Sequence, residues 1–120
     1  MRRFLLLSIC MSIGMLFASA AFGQNTVVKS AKKLKPTEEF DNIHVQKLFS
    51  DAKASCFVIW VKQKVRLHKH AAHSETVYVL GGKGEMTLGK ETFQVRKGDV
   101  VFIPEGTPHA VTTTGGVLKV

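Results

Sequence analysis

His68 and His70 stand one residue apart, Glu75 follows close behind, and His109 comes much later in the chain. Three imidazoles and one carboxylate are enough to surround a single metal ion. If that ion is six-coordinate, two positions stay open, which suits Fe(II), Mn(II) or Ni(II) carrying water, dioxygen or a chelating substrate. Zinc also binds such donors, and affinity order does not choose among these metals, so one divalent ion is expected and its identity stays open. Along an extended strand alternate side chains share a face, so His68 and His70 project together while Lys69 points the opposite way. A turn over residues 71–74 brings the chain back with Glu75 beside the pair. His109 follows the segment from Pro104 to Pro108 and can reach the same ion from across a curled sheet.

The elements that must position these donors read as β. From Ile43 onward, short runs rich in valine, isoleucine, threonine and aromatics alternate with glycine-containing breaks. Strands are expected near residues 43–49, 55–61, 65–70, 75–80, 85–88, 92–95, 100–103, 109–113 and 117–120. The tract Gly81-Gly82-Lys83-Gly84 and the pair Gly115-Gly116 suit tight reversals, and Gly89-Lys90 has the glycine-first form of a two-residue hairpin turn. Pro104 and Gly106 fit the second and fourth positions of a type I turn starting at Ile103. Many short strands with almost no helix predict an antiparallel sandwich or barrel that curls to limit its exposed edges.

The first stretch of the chain reads differently. Arg2 and Arg3 precede an apolar run from Phe4 to Phe22, and Ala18-Ser19-Ala20 supplies the small residues of a cleavage site. A secretory signal over residues 1–23, cut after Ala20 or after Gly23, is the expectation, with an uncleaved anchor helix as the alternative. Residues 24–41 are polar and lysine-rich and read as an extended lead-in, with at most one short turn near residues 35–40. Residues 42–120 form the β domain. Removal of the leader would take Cys10 with it and leave Cys56, expected to be a small buried hydrophobe in the run Cys56-Phe57-Val58-Ile59-Trp60. The formal charge of +8, two of it from Arg2 and Arg3, is carried by scattered lysines with no aromatic interleaving. That pattern describes a solvated basic surface rather than a nucleic-acid face.

Once placed in order, the donors resemble the two motifs of the cupins. The first is a glycine, five residues, His-x-His, three or four residues, Glu, six residues and a glycine; His68, His70, Glu75 and Gly82 fall on it. The second is a glycine, five residues, Pro-x-Gly, two residues, a histidine, three residues and an asparagine; Gly98, Pro104, Gly106 and His109 match. Lys62 replaces the first glycine and Thr113 the final asparagine, which puts local turn geometry in question but no donor. The resemblance implies a cupin-type double-stranded β-helix, or jelly-roll barrel, in which His68, His70, Glu75 and His109 hold one divalent ion. His73 is left between three roles: a fifth donor, a group supporting a donor, or a rim residue.

The function implied is that of an exported metal-binding cupin. One form is a metal-dependent oxygenase or isomerase acting on a small oxygenated molecule, with Glu75 also moving a proton. The other is a non-catalytic protein that binds or senses a small ligand, its metal structural. Val77, Val79, Val101 and Ile103, with Phe57, Ile59 and Val61 as another wall, either line an apolar cavity beside the ion or simply fill a narrow barrel, while Glu85, Glu91 and Glu105 are solvated. The expected setting is periplasmic or secreted, without nucleic acid and without a stable membrane anchor after cleavage. At Val120 a homodimer, in which a second copy lends a covering strand, is one of two ways to finish the barrel edge; a trimmed barrel is the other.

Overall fold

Apolar residues alternate with exposed ones along most of the domain, and that period of two is what the fold is built from. In the short run Val100-Val101-Phe102-Ile103, Val101 and Ile103 are buried while Val100 and Phe102 face solvent. The computed structural model describes residues 29–120, so the expected leader lies outside the described residues. Eight strands follow in order: β1 (Ile43–Ser50), β2 (Ser55–Val61), β3 (Lys64–His68), β4 (Glu75–Tyr78), β5 (Gly81–Leu88), β6 (Glu91–Arg96), β7 (Val100–Ile103) and β8 (His109–Lys119). All pairings are antiparallel. The larger sheet has the order β1-β2-β8-β5-β6, with β3 also paired to β8, and β4 and β7 form a second, two-stranded sheet. Between the sheets lies the core of Val61, Val79, Met86, Val95, Val101, Ile103 and Leu118. Each such side chain contributes about 1.5–3 kcal/mol by leaving water.

The hairpin between β5 and β6 closes as expected through Gly89-Lys90: Leu88 faces Glu91, Gly89 has φ +60°, and Lys90 stays at negative φ. Other turns depart from expectation. The Pro-x-Gly turn starts one residue later, because Thr107 N donates to Pro104 O (3.1 Å) and Gly106 sits at the third position with φ +75°. This is the type II arrangement, which needs positive φ there. The two glycine tracts are not reversals. They face each other inside the β5–β8 ladder, Lys83 opposite Gly115, and the register slips on both sides of Lys83. A Cβ on Gly84 would press on Val111 Cγ2 at 2.9 Å and Thr112 O at 3.1 Å, so glycine here allows close approach rather than a turn. As a result, the two strands expected at residues 109–113 and 117–120 are one continuous β8.

Cys56 is also a correction. It is the second residue of β2, opposite Phe49, and is exposed, because burial along β2 starts only at Val58, as the strand moves away from the β1–β2 loop. Among its described residues, the lead-in forms a 3-10 turn at Ala31–Lys33, earlier than the turn expected near residues 35–40. It is fastened by Lys119, whose Nζ donates to Ala31 O (2.7 Å), Lys32 O (3.2 Å) and Leu34 O (2.7 Å) and lies 5.3 Å from the centre of the Trp60 ring. Burial lowers the Lys119 pKa from its ordinary value.

The two positions that depart from the cupin pattern meet each other. Thr113 Oγ1 shares its proton between Lys62 O (3.0 Å) and Gln63 O (3.1 Å). From the other side Asn42 Oδ1 accepts from Gln63 N and Lys64 N, each at 3.0 Å. The β2–β3 corner is therefore held by side chains and needs no glycine.

Candidate metal centre

Strand ends bring the donors together. His68 is the last residue of β3 and pairs directly with His109, the first residue of β8, so their rings lie side by side with centroids 4.2 Å apart. His70 falls just beyond β3 rather than within it. Its backbone is tied down by Gly106 N, which donates to His70 O at 2.7 Å and so locks the His-x-His segment to the Pro-x-Gly turn. Glu75 opens β4 opposite Ile103, the end of β7.

One potential donor atom from each of His68, His70 and His109 lies within 4.8 Å of the others. The hydrogen bonds around them fix which nitrogens are free. His68 Nδ1 donates to Arg66 O (2.8 Å) and His109 Nδ1 to Thr107 O (2.9 Å). A carbonyl can only accept, so each neutral ring keeps its proton on Nδ1 and presents a bare lone pair at Nε2. For His109 that lone pair is buried and has no hydrogen-bond partner among the described residues. It lies 3.5 Å from Glu75 Oε2, a contact of two acceptors that is favourable only with a cation or a proton between them. Glu75 Oε2 also accepts from His70 Nε2 at 2.9 Å. The three imidazoles therefore fit a metal ion, a donor type that suits Zn, Fe and Ni alike, whereas Glu75 adjoins His70 and His109 without belonging to the group that converges within 4.8 Å. Exposure is graded: the His109 side chain is 5% accessible, His70 29% and Glu75 31%, and His68 is exposed, so the cluster has a closed back and an open front.

A cavity of about 1100 Å³ adjoins the cluster. Of the expected walls, Val77, Ile59 and Phe57 line it with accessible surface, whereas Val61, Val79, Val101 and Ile103 border it as buried core residues that fill the barrel, and Val58, expected on the other face, borders it too. Residues 51–59 and 72–80 contribute consecutively, which marks the edges of β2 and β4 rather than their faces. Asp51, held below the usual carboxylate range by the N–H groups of Lys53 and Ala54, fixes the β1–β2 loop at that boundary. His73 is a rim residue: exposed, lining the cavity, and stacked on His70 at 4.5 Å with 24° between the rings. Glu85, Glu91 and Glu105 are solvated, as expected. Motif spacing passed over His44, buried away from the cluster; its position in β1, in step with Gln46 and Leu48, was the available signal.

The model of the cupin domain matches residues 56–120, more than half of the chain. The chain belongs to the cupin family. Among curated relatives, this cupin is 34% identical to an uncharacterized protein of Aquifex aeolicus over 73% of its own length and 79% of the relative's. It is 45% identical to an uncharacterized protein of Methanocaldococcus jannaschii over 50% of its length, and spans 48%, about half, of that relative. A stretch of 44 residues is 46% identical to the quercetin 2,3-dioxygenase of Bacillus subtilis, covering 37% of this chain and 13% of that enzyme. Among solved structures, the cupin domain of Cnp3 from Schizosaccharomyces pombe superposes with a TM-score of 0.67 at 18% identity, over 78% of this chain and 69% of that one. At that identity the likeness is one of fold.

Proposed function

We propose that His68, His70, Glu75 and His109 hold one divalent ion, and that this cupin uses it to bind and transform a small oxygenated molecule. The observation that carries the reading is the buried, unpartnered Nε2 of His109, aimed at Glu75 beside two further imidazoles. A buried lone pair left without a donor is costly and is kept where a ligand compensates it. When bound, a divalent ion would supply Lewis acidity to adjacent oxygens of the molecule. Glu75 is the chain's proton carrier in this reading. Its Oε2 takes a proton from the bound molecule and returns it, while His70 Nε2 orients the carboxylate from 2.9 Å. The partial similarity to a dioxygenase supports oxygenase chemistry, and the same residues also serve an isomerase.

A second reading, non-catalytic binding, draws on the His70 contact: a carboxylate fastened to that ring is well placed to stay where it is. Oxygen uptake by the Fe(II)- and Mn(II)-loaded protein across diols, diketones and flavonols separates the two. Uptake that disappears in Glu75→Gln while metal content is kept supports catalysis; no uptake with ligand binding intact supports the second reading. The exported setting belongs to this proposal as well and rests on the residue types of positions 1–23.

A further inference from the structure

We infer that the molecule this centre accepts has adjacent oxygen donors at one end and a hydrocarbon body, and that polyhydroxylated bodies such as those of sugar acids bind more weakly. The inference rests on the metal-binding reading above and narrows its substrate class.

The walls beside the cluster carry it. Val77 stands two residues from Glu75 on the same face of β4, and Val65 stands on β3, paired with Val111 of β8, three residues before His68. Ile59 on β2 faces the same space. All four line the cavity and all four are only partly buried, so they remain accessible while pointing inward. Core residues such as Val61 and Ile103, 1% and 2% exposed, have no such free surface. A molecule reaching the ion would thus lie against aliphatic side chains once its head had left the histidines and Glu75. A hydroxyl set against those four side chains would give up water without gaining a partner, a cost that accumulates with each group so placed. Each methylene in the same place would gain by leaving water. Asp51, Ser55, Ser74, Thr76 and Tyr78 enter the lining as well, from exposed positions, so the contrast is between the cluster of histidines with Glu75 and the aliphatic walls next to it; a pocket fixes orientation with few polar contacts and gains affinity from the rest.

The matched pair 2-hydroxyhexanoate and D-gluconate tests this, since both present an α-hydroxycarboxylate on a six-carbon chain and differ only in the body's hydroxyls. The full chain is loaded with Zn(II) or Ni(II), its metal content is measured, and each acid is titrated calorimetrically, with its affinity for the aqueous ion as the reference. Relative to that reference, 2-hydroxyhexanoate is expected to bind at least about tenfold tighter than gluconate. Val77→Thr, or Val65→Thr should the first fold poorly, is expected to narrow the ratio while leaving one ion per chain. Equal or preferential gluconate binding by fully loaded protein overturns the substrate class and leaves the metal centre standing. Failure to take up metal overturns both.

Discussion

Two histidines of this barrel are buried, His44 at 8% and His109 at 4% exposed, and their surroundings could hardly differ more. His44 lies between the rings of Phe40 and Trp60, with Thr37 Oγ1 3.2 Å from its Nε2 and Glu38 Oε1 3.7 Å from its Nδ1. Thr37 of the lead-in answers Nε2 with its N–H and hydroxyl, and Nδ1 carries its proton toward Glu38, beyond hydrogen-bond reach, so no acceptor is left facing an acceptor. His109 has one nitrogen answered by a backbone carbonyl and the other facing an acceptor. The same residue type at the same depth is thus structural where the chain satisfies it and a binding group where the chain does not. Burial alone cannot tell the two apart, nor can an unanswered lone pair by itself, since Gln46 Oε1 has one too; what marks His109 is an unanswered nitrogen beside two further imidazoles.

The largest expected effect tests that distinction directly. His109→Ala should weaken Zn(II) or Ni(II) binding at least about 100-fold, roughly 2.8 kcal/mol, in competition with a chromophoric chelator. His44→Ala should leave the metal affinity where it was. Equal losses in the two variants would erase the distinction. Next in size is the metal itself: at about 100 times its dissociation constant it should stabilise the folded chain by roughly 2.7 kcal/mol, seen as a chelator-reversible rise in the denaturation midpoint. Acid should abolish that rise, because each imidazole must be unprotonated to bind and protons compete with the ion. A midpoint indifferent to chelator would mean that His109 is no more a ligand than His44.

On the satisfied side, His44→Ala should cost about 2 kcal/mol of metal-free stability, from a vacated aromatic slot and unanswered partners. Lys119→Met should cost about 1.5 kcal/mol, since three carbonyls of the lead-in lose one charged donor. Urea denaturation of the metal-free protein measures both. If either variant also lost metal, the lead-in and the centre would be one cooperative unit and not two regions.

These two regions were unequally legible in the sequence. The donors could be read because His-x-His, Glu75 and the Pro-x-Gly-x-x-His run have fixed spacing, and strands such as β2 and β7 because their apolar runs are sharply bounded. What spacing does not encode was misplaced. Gly82 and Gly84 look like turn residues, yet they serve a tight β5–β8 approach that depends on which strand lies opposite, a fact only the three-dimensional pairing supplies. Cys56 looks buried by its neighbours, yet β2 leaves the core at its first residues. His44 was silent because its partners, Thr37, Glu38 and Phe40, lie in a lead-in without periodicity, and the clamp at Lys119 joins residues more than eighty positions apart.

The smallest expected effect concerns the corner where Lys62 and Thr113 replace the residues of the family pattern. Thr113→Val keeps the shape and removes a hydroxyl shared by two carbonyls, so about 1 kcal/mol of stability should be lost. Asn42 still holds the corner from the other side, which keeps the loss near a single hydrogen bond. The carbonyls at Lys62 and Gln63 lie in exposed residues, where water replaces the missing donor. Metal affinity should not change, because the centre is set by the ends of β3, β4 and β8 and by the Gly106-to-His70 bond. Weaker metal binding in Thr113→Val would mean that the corner transmits to His68 along β3, and the boundary between satisfied scaffold and unsatisfied centre would have to be redrawn to include that strand.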